Sequence, residues 1–181
     1  YRPCDEPIDY LVAYEAGFIL RLFDNEPAKR FDFAPRPDAG KAVETLVTPT
    51  LAMSPEDWAV LPKFTEIVAR WALMTLRSLP IGMRIDRWIA AEHPELKELQ
   101  RNSLAVQQQQ NMDVLAFKMS RLTIPTTLLA LPAAHALFVD RLSEDGSYSV
   151  PFKATGLLEN GEELMRVWDE LAPDALHDCE L

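Results

Sequence analysis

Apolar side chains recur at steps of three and four residues along most of this chain, and prolines separate the segments that carry the pattern. Such a period places one apolar stripe along a helix, while a proline tends to stop the helix from continuing. Fourteen prolines against only six glycines therefore favour short helices that meet at sharp corners. We expect an all-α fold, an irregular helical bundle of about six or seven helices that forms a single domain over residues 1–181.

The predicted helix boundaries follow the prolines and the capping residues. Ser54-Pro55-Glu56-Asp57 is the clearest start, because serine caps a helix, proline suits its first position and acids favour the positive end of its dipole. Pro62 should end or kink that helix, and Pro80-Ile81-Gly82 should form a turn. Alternating apolar residues predict at most one short β-hairpin or strand near 146–153. The main helices are expected at residues 9–23, 39–47, 63–79, 84–91, 94–122, 125–142 and 160–171.

The first two helices and the loop between them have a recognisable order. The first helix should present one apolar face, made by Leu11, Tyr14, Phe18 and Leu22. A loop with the run Phe31-Asp32-Phe33-Ala34-Pro35-Arg36-Pro37-Asp38-Ala39-Gly40 then leads into the second helix. Residues 11–47 in this order resemble the opening of DinB-type helical bundles, a family that often carries a histidine metal site. The corresponding position of the second helix holds no histidine here, so the resemblance transfers no site.

The charge of the chain limits the partners it can have. Lysine and arginine total 18 against 28 aspartates and glutamates, a formal net charge of −10. Nucleic-acid binding depends on basic surfaces that displace counterions, so we expect no nucleic-acid partner. Contact with an anionic membrane is disfavoured for the same reason. Residues 122–139 carry no formal charge, but their two prolines and one histidine fit a buried core helix better than a membrane span.

No arrangement of reactive side chains stands out in the sequence. The chain has no HExxH motif, no P-loop, no G-x-S-x-G and no dinucleotide fingerprint. It also lacks the Glu-x-x-His pairs of di-iron bundles. We therefore assign no catalytic residue, no metal ligand and no cofactor. His135, on a strongly apolar segment, could line a ligand pocket, but a core or boundary histidine with one backbone partner is the favoured interpretation.

Cys4 and Cys179 lie near opposite ends of the chain, and three interpretations stay open. The two residues form a disulfide that closes a long loop, they are free thiols, or they join Asp5, His177 and Asp178 in a zinc site. The zinc interpretation lacks the paired Cys-x-x-Cys spacing of structural sites. The first residue is Tyr1, which slightly favours a leader-processed location (an organelle such as the mitochondrion, the periplasm or secretion) over the cytoplasm.

Four glutamines follow one another within a predicted helix: Gln107, Gln108, Gln109 and Gln110. Consecutive residues cover every face of a helix, so at least one of these amides should point inward. The run of four is explained either as a solvated turn or as a polar contact with a neighbouring subunit.

These observations favour a non-catalytic accessory or scaffold subunit that acts through protein–protein contacts in a larger assembly. Four tryptophans are available as anchors, and buried aromatic side chains dominate the energy of interfaces. The alternative is a small-molecule-binding or enzymatic helical bundle with a pocket near His135.

Overall fold

The computed structural model describes residues 8–24, 39–47 and 54–171, and within these ranges the chain is almost entirely helical. Seven α-helices and one two-stranded antiparallel sheet are present there, which confirms the predicted all-α bundle. The elements are α1 (Ile8–Asp24), α2 (Ala39–Val47), α3 (Pro55–Glu92), α4 (Lys97–Ala116), β1 (Lys118–Met119), β2 (Leu122–Thr123), α5 (Thr126–Ser143), α6 (Val150–Ala154) and α7 (Leu158–Leu171). A single 3-10 turn, Pro94–Leu96, leads into α4.

The start of α3 agrees with the prediction made from its sequence. Ser54 Oγ accepts a hydrogen bond from the backbone of Asp57 at 3.2 Å, and the backbone of Ser54 donates to the Asp57 carboxylate at 3.0 Å. The same carboxylate accepts hydrogen bonds from the hydroxyl of Ser120 at 2.7 Å and the backbone of Arg121 at 3.1 Å. These hydrogen bonds hold the pKa of Asp57 well below its usual range, and the bond from Ser120 has the largest effect. The Asp57 side chain therefore completes the capping box at the start of α3 and also ties this helix to the turn between β1 and β2.

α3 continues where the sequence predicted breaks. It runs without interruption through Pro62 and Pro80, so the turn predicted at 80–82 is wrong. A proline inside a helix removes one hydrogen bond and costs about 3 kcal/mol. The side chains that follow Pro80, among them Ile81, Met83 and Ile85, are buried. The packing of these side chains against other helices stabilises the continuous helix. That stabilisation cannot be inferred from the local sequence Pro-Ile-Gly.

The strand predicted near 146–153 is also wrong in position. The segment forms a turn followed by α6, and the short hairpin lies at 118–123 instead, with Lys118 opposite Thr123. The carboxylate of Asp140 accepts hydrogen bonds from the backbones of Tyr148 at 2.8 Å and Ser149 at 2.9 Å. Pro151, in the first turn of α6, then suits a helix start. The hairpin also ends α4 at Ala116, short of the predicted boundary at 122.

The buried apolar side chains form three clusters. The first joins α2, the first half of α3, the hairpin and the start of α5 around Phe64 and Val68. The second joins α3, α4, α5 and α7 around Phe138 and Met165. The third places Tyr10 of α1 against Ile81, Ile85 and Ile89 of α3. No helix in the described ranges combines the length and apolar character that crossing a bilayer requires.

Candidate functional site

Helix α1 lies against α3 through a face that coincides in part with the predicted one, since Leu11, Tyr14 and Phe18 pack against the buried cluster around Tyr10 and Ile85. Tyr10 is its most buried side chain at 1% exposure, and Gly17 and Arg21 are buried on the same side. A Cβ on Gly17 would lie 2.7 Å from Cγ2 of Ile85, so the two helices approach closely there. Leu11, Tyr14 and Phe18 of the predicted face are half-buried, and Leu22 is exposed.

A buried carboxylate fixes α1 in this orientation. Asp86 of α3 accepts a hydrogen bond from the Tyr10 hydroxyl at 2.7 Å and another from Nε2 of Gln100 at 2.9 Å. The Gln100 amide also donates to the backbone carbonyl of Asp86 at 2.8 Å. Burial raises the pKa of Asp86 to about 6, and the two side-chain hydrogen bonds oppose that rise. The carboxylate therefore accepts both bonds in its ionised form at neutral pH.

The hydrogen bonds of Asp86 link three helices, α1, α3 and α4. Burial, and after it the negative charge of Asp86, raises the pKa of Tyr10, so its hydroxyl stays protonated and acts as a donor. Asp86 is 2% exposed and lines neither of the two described cavities. The sequence did not predict this cluster, although Asp86 stands three residues from both Met83 and Ile89, and a carboxylate on that apolar side of a helix could have indicated it.

The opposite face of α1 is apolar and exposed. Ile8, Val12, Ile19 and Phe23 are 58–66% exposed. Spacings of four, seven and four residues put these four side chains on one side of the helix. Glu15 is exposed on the same side, and Asp9 is exposed at its border. α1 thus has a buried face toward α3 and a second apolar face, which we call the outer face of α1 (Ile8, Val12, Ile19 and Phe23), toward the surface.

His135 is a buried residue of α5, 5% exposed. Its Nδ1 lies 3.0 Å from Nε2 of Gln108 and 3.1 Å from Nδ2 of Asn111, and its ring stacks on Phe138. Burial lowers the pKa of His135 to about 4, so the ring is neutral at pH 7. The pocket predicted near His135 stays a prediction, because this residue lines neither of the two described cavities.

The glutamine run has the mixed environment expected of consecutive helical residues. Gln108 points inward and is buried, Gln107 is half-buried, and Gln109 and Gln110 are exposed. The inward amide agrees with the sequence argument, and its partner, His135, could not be named from the sequence. A subunit contact at Gln107, Gln109 and Gln110 stays a prediction. Cys4 and Cys179 lie outside the described residues, so their three interpretations stay open as well.

Two cavities open on the surface of the described part of the chain. One groove between α1 and α3 has a volume of about 460 Å³. A smaller one, about 220 Å³, lies beside Trp71 and Phe117. Among the residues that the structure describes, no three histidine, cysteine, aspartate or glutamate side chains come together as a metal-binding group.

Comparison of the chain with protein-family models, with curated proteins and with solved structures gives no match.

Proposed function

We propose that this chain is a non-catalytic accessory or scaffold subunit that acts through protein–protein contacts in a larger assembly. The observation that supports the proposal is the outer face of α1. A helix that is apolar on all sides is normally one that is buried on all sides. The inner face of α1 is covered by α3, whereas Ile8, Val12, Ile19 and Phe23 stay more than half exposed.

The energetics of this face favour a partner. Apolar surface gains roughly 25 cal/mol for every Å² that is removed from water. Large exposed apolar patches on a protein surface often mark interaction sites. Covering four large side chains on one helix would therefore contribute several kcal/mol to association, before the entropy cost of binding is subtracted.

The charges around the outer face indicate the chemistry of that partner. Asp9 and Glu15 are exposed beside the apolar side chains, and the only cationic residue of α1, Arg21, is buried on the other side. A second copy of this chain would bring acids against acids, and each copy carries a net charge of −10. An anionic membrane surface would be repelled in the same way. The partner that fits is a protein with an apolar strip bordered by lysine or arginine.

The proposal is tested by a matched pair of valine substitutions. Val12→Asp places a charge on the outer face, while Val106→Asp places one at an exposed position of α4. We expect the wild-type chain and Val106→Asp to co-purify from source cells with the same partner chains. Val12→Asp should lose them while far-UV circular dichroism and thermal melting stay unchanged.

Two results would contradict the proposal. One is a monodisperse, stable monomer of the native chain in a gentle extract of the source cells. The other is equal retention of partner chains by Val12→Asp and by the wild type.

A further inference from the structure

The larger groove lies between the C-terminal part of α1 and the middle of α3. Its volume of about 460 Å³ falls within the roughly 300–1,000 Å³ that is typical of small-molecule sites. The two helices run antiparallel, since Tyr10 contacts Asp86 near one end and Phe18 lines the groove with Ile81 toward the other. The groove is lined by Phe18, Ile19, Arg21, Leu22, Arg77, Ser78 and Ile81.

The lining combines an apolar wall with two cationic groups. Phe18 and Leu22 of α1 line the groove together with Ile81, and Ile19, which also belongs to the outer face of α1, extends this apolar wall toward solvent. The wall suits a hydrocarbon chain. Arg21, from the same helix, is only 7% exposed, whereas Arg77 of α3 is exposed to solvent.

A guanidinium at the edge of an apolar groove favours an anionic head group. Its planar array of N–H donors matches a carboxylate or a phosphate, and such charge-assisted bonds are stronger than neutral ones. Both arginines also make contacts within the protein. Because each guanidinium carries five N–H donors, a head group can share it with those contacts.

We propose that this groove binds a free, single-chain amphipathic anion, with its carboxylate or phosphate head at Arg21 and Arg77 and its hydrocarbon chain along the apolar wall. A neutral apolar ligand would offer no acceptor to the N–H donors of the two arginines. A small polar anion would leave the apolar wall exposed to water. A net charge of −10 repels anions from most of the surface, so on this protein an anionic ligand depends on a place that arginines line.

Sodium decanoate below its micelle concentration is the probe, and isothermal titration calorimetry on the full chain is the measurement. We expect saturable binding by the wild type. Decanol and butyrate should each bind at least about tenfold more weakly, because the first lacks the charge and the second lacks the chain. Arg77→Gln should also weaken decanoate binding by about tenfold or more.

Arg70→Gln is the matched control, because Arg70 is another exposed arginine of α3 that does not line the groove. It should bind decanoate as the wild type does. Arg77→Lys keeps the charge and loses the planar fork, so its affinity should fall between those of the wild type and Arg77→Gln. Circular dichroism of each variant checks that the fold is retained.

Three results would overturn the proposal: no saturable binding of decanoate, equal binding by wild type and Arg77→Gln, or binding to phosphatidylglycerol vesicles without binding to free decanoate. The last result would indicate a membrane surface as the ligand. This proposal is independent of the proposed function, because the two are tested at different residues. Decanoate binding is tested at Arg77 of α3, and partner retention is tested at Val12 of α1.

Discussion

At the scale of single residues, Asp86 decides how α1 is attached to the rest of the bundle. A carboxylate without solvent is stable only when donors compensate the loss of water. Tyr10 and Gln100 supply those donors from two other helices. Removing either donor therefore costs more than one ordinary hydrogen bond, because the remaining charge stays buried.

Tyr10→Phe tests this attachment, with Tyr14→Phe one turn away on α1 as the matched control. We expect Tyr10→Phe to lower the free energy of unfolding by about 1–3 kcal/mol and to move the pKa of Asp86 above its present value of about 6. Tyr14 makes no described hydrogen bond to Asp86, so its substitution should have a smaller effect on both. Urea denaturation and the carboxyl carbon resonance of Asp86 measure the two quantities, and equal effects of the two substitutions would contradict the argument.

At the scale of elements, the crossing of α5 and α7 depends on a residue without a side chain. A Cβ on Gly161 would lie 2.9 Å from the carbonyl carbon and the Cβ of Ala133 and 2.9 Å from the backbone nitrogen of Ala134. Two of these three atoms belong to backbone, which moves less easily than the end of a side chain. The close approach is what lets Met165 and Trp168 of α7 pack against Phe138 of α5.

Gly161→Ala should consequently destabilise the protein, against the usual trend. Alanine in a helix normally gains about 1 kcal/mol over glycine, but overpacking costs about 1–3 kcal/mol. We expect a net loss of stability and a lower melting temperature, measured by thermal unfolding. Asn160→Ala, at the exposed neighbouring position, is the control and should change little. A melting temperature that rises in Gly161→Ala would show that α7 can move away from α5.

At the scale of the whole molecule, two buried titratable groups oppose each other as pH changes. The folded pKa of Asp86 is raised to about 6, above the unfolded value of about 3.9. Its contribution to stability is full at low pH and is lost as pH rises through 6. The folded pKa of His135 is lowered to about 4, below the unfolded value of about 6.5. Its contribution is full above 6.5 and is lost as pH falls toward 4.

The two contributions should partly cancel in the wild type between pH 4 and 6.5. Asp86→Asn removes one of them, so the stability of this variant should rise with pH across that window. His135→Gln removes the other, so its stability should fall as pH rises. Urea unfolding at several pH values measures both slopes, and equal slopes for the two variants would refute the assignment. Asp57, whose pKa is lowered, adds a rise of stability with pH that is complete by about pH 5. The slopes of the two variants are therefore compared above that pH.

Features that depend on near neighbours in the chain were predictable. The period of apolar residues indicated the helices, Ser54 and Asp57 indicated the start of α3, and the glutamine run indicated one inward amide. The outcome at Pro80 was not predictable, because a proline lowers the local preference for helix whatever packs around it. The buried face of α1 was predictable only in part, since this helix is apolar on several sides and the period alone did not place Tyr10 at the centre of the contact.

The sequence by itself determined that this chain forms helices and where most of them begin and end, because capping and periodicity act over a few residues. Tertiary structure alone decided that α3 is one continuous helix, that Asp86 is buried and that Ile8, Val12, Ile19 and Phe23 face outward. These outcomes depend on distant groups: Tyr10 and Asp86 are 76 residues apart in the chain. Their free energy comes from contacts that exist only once the helices have packed.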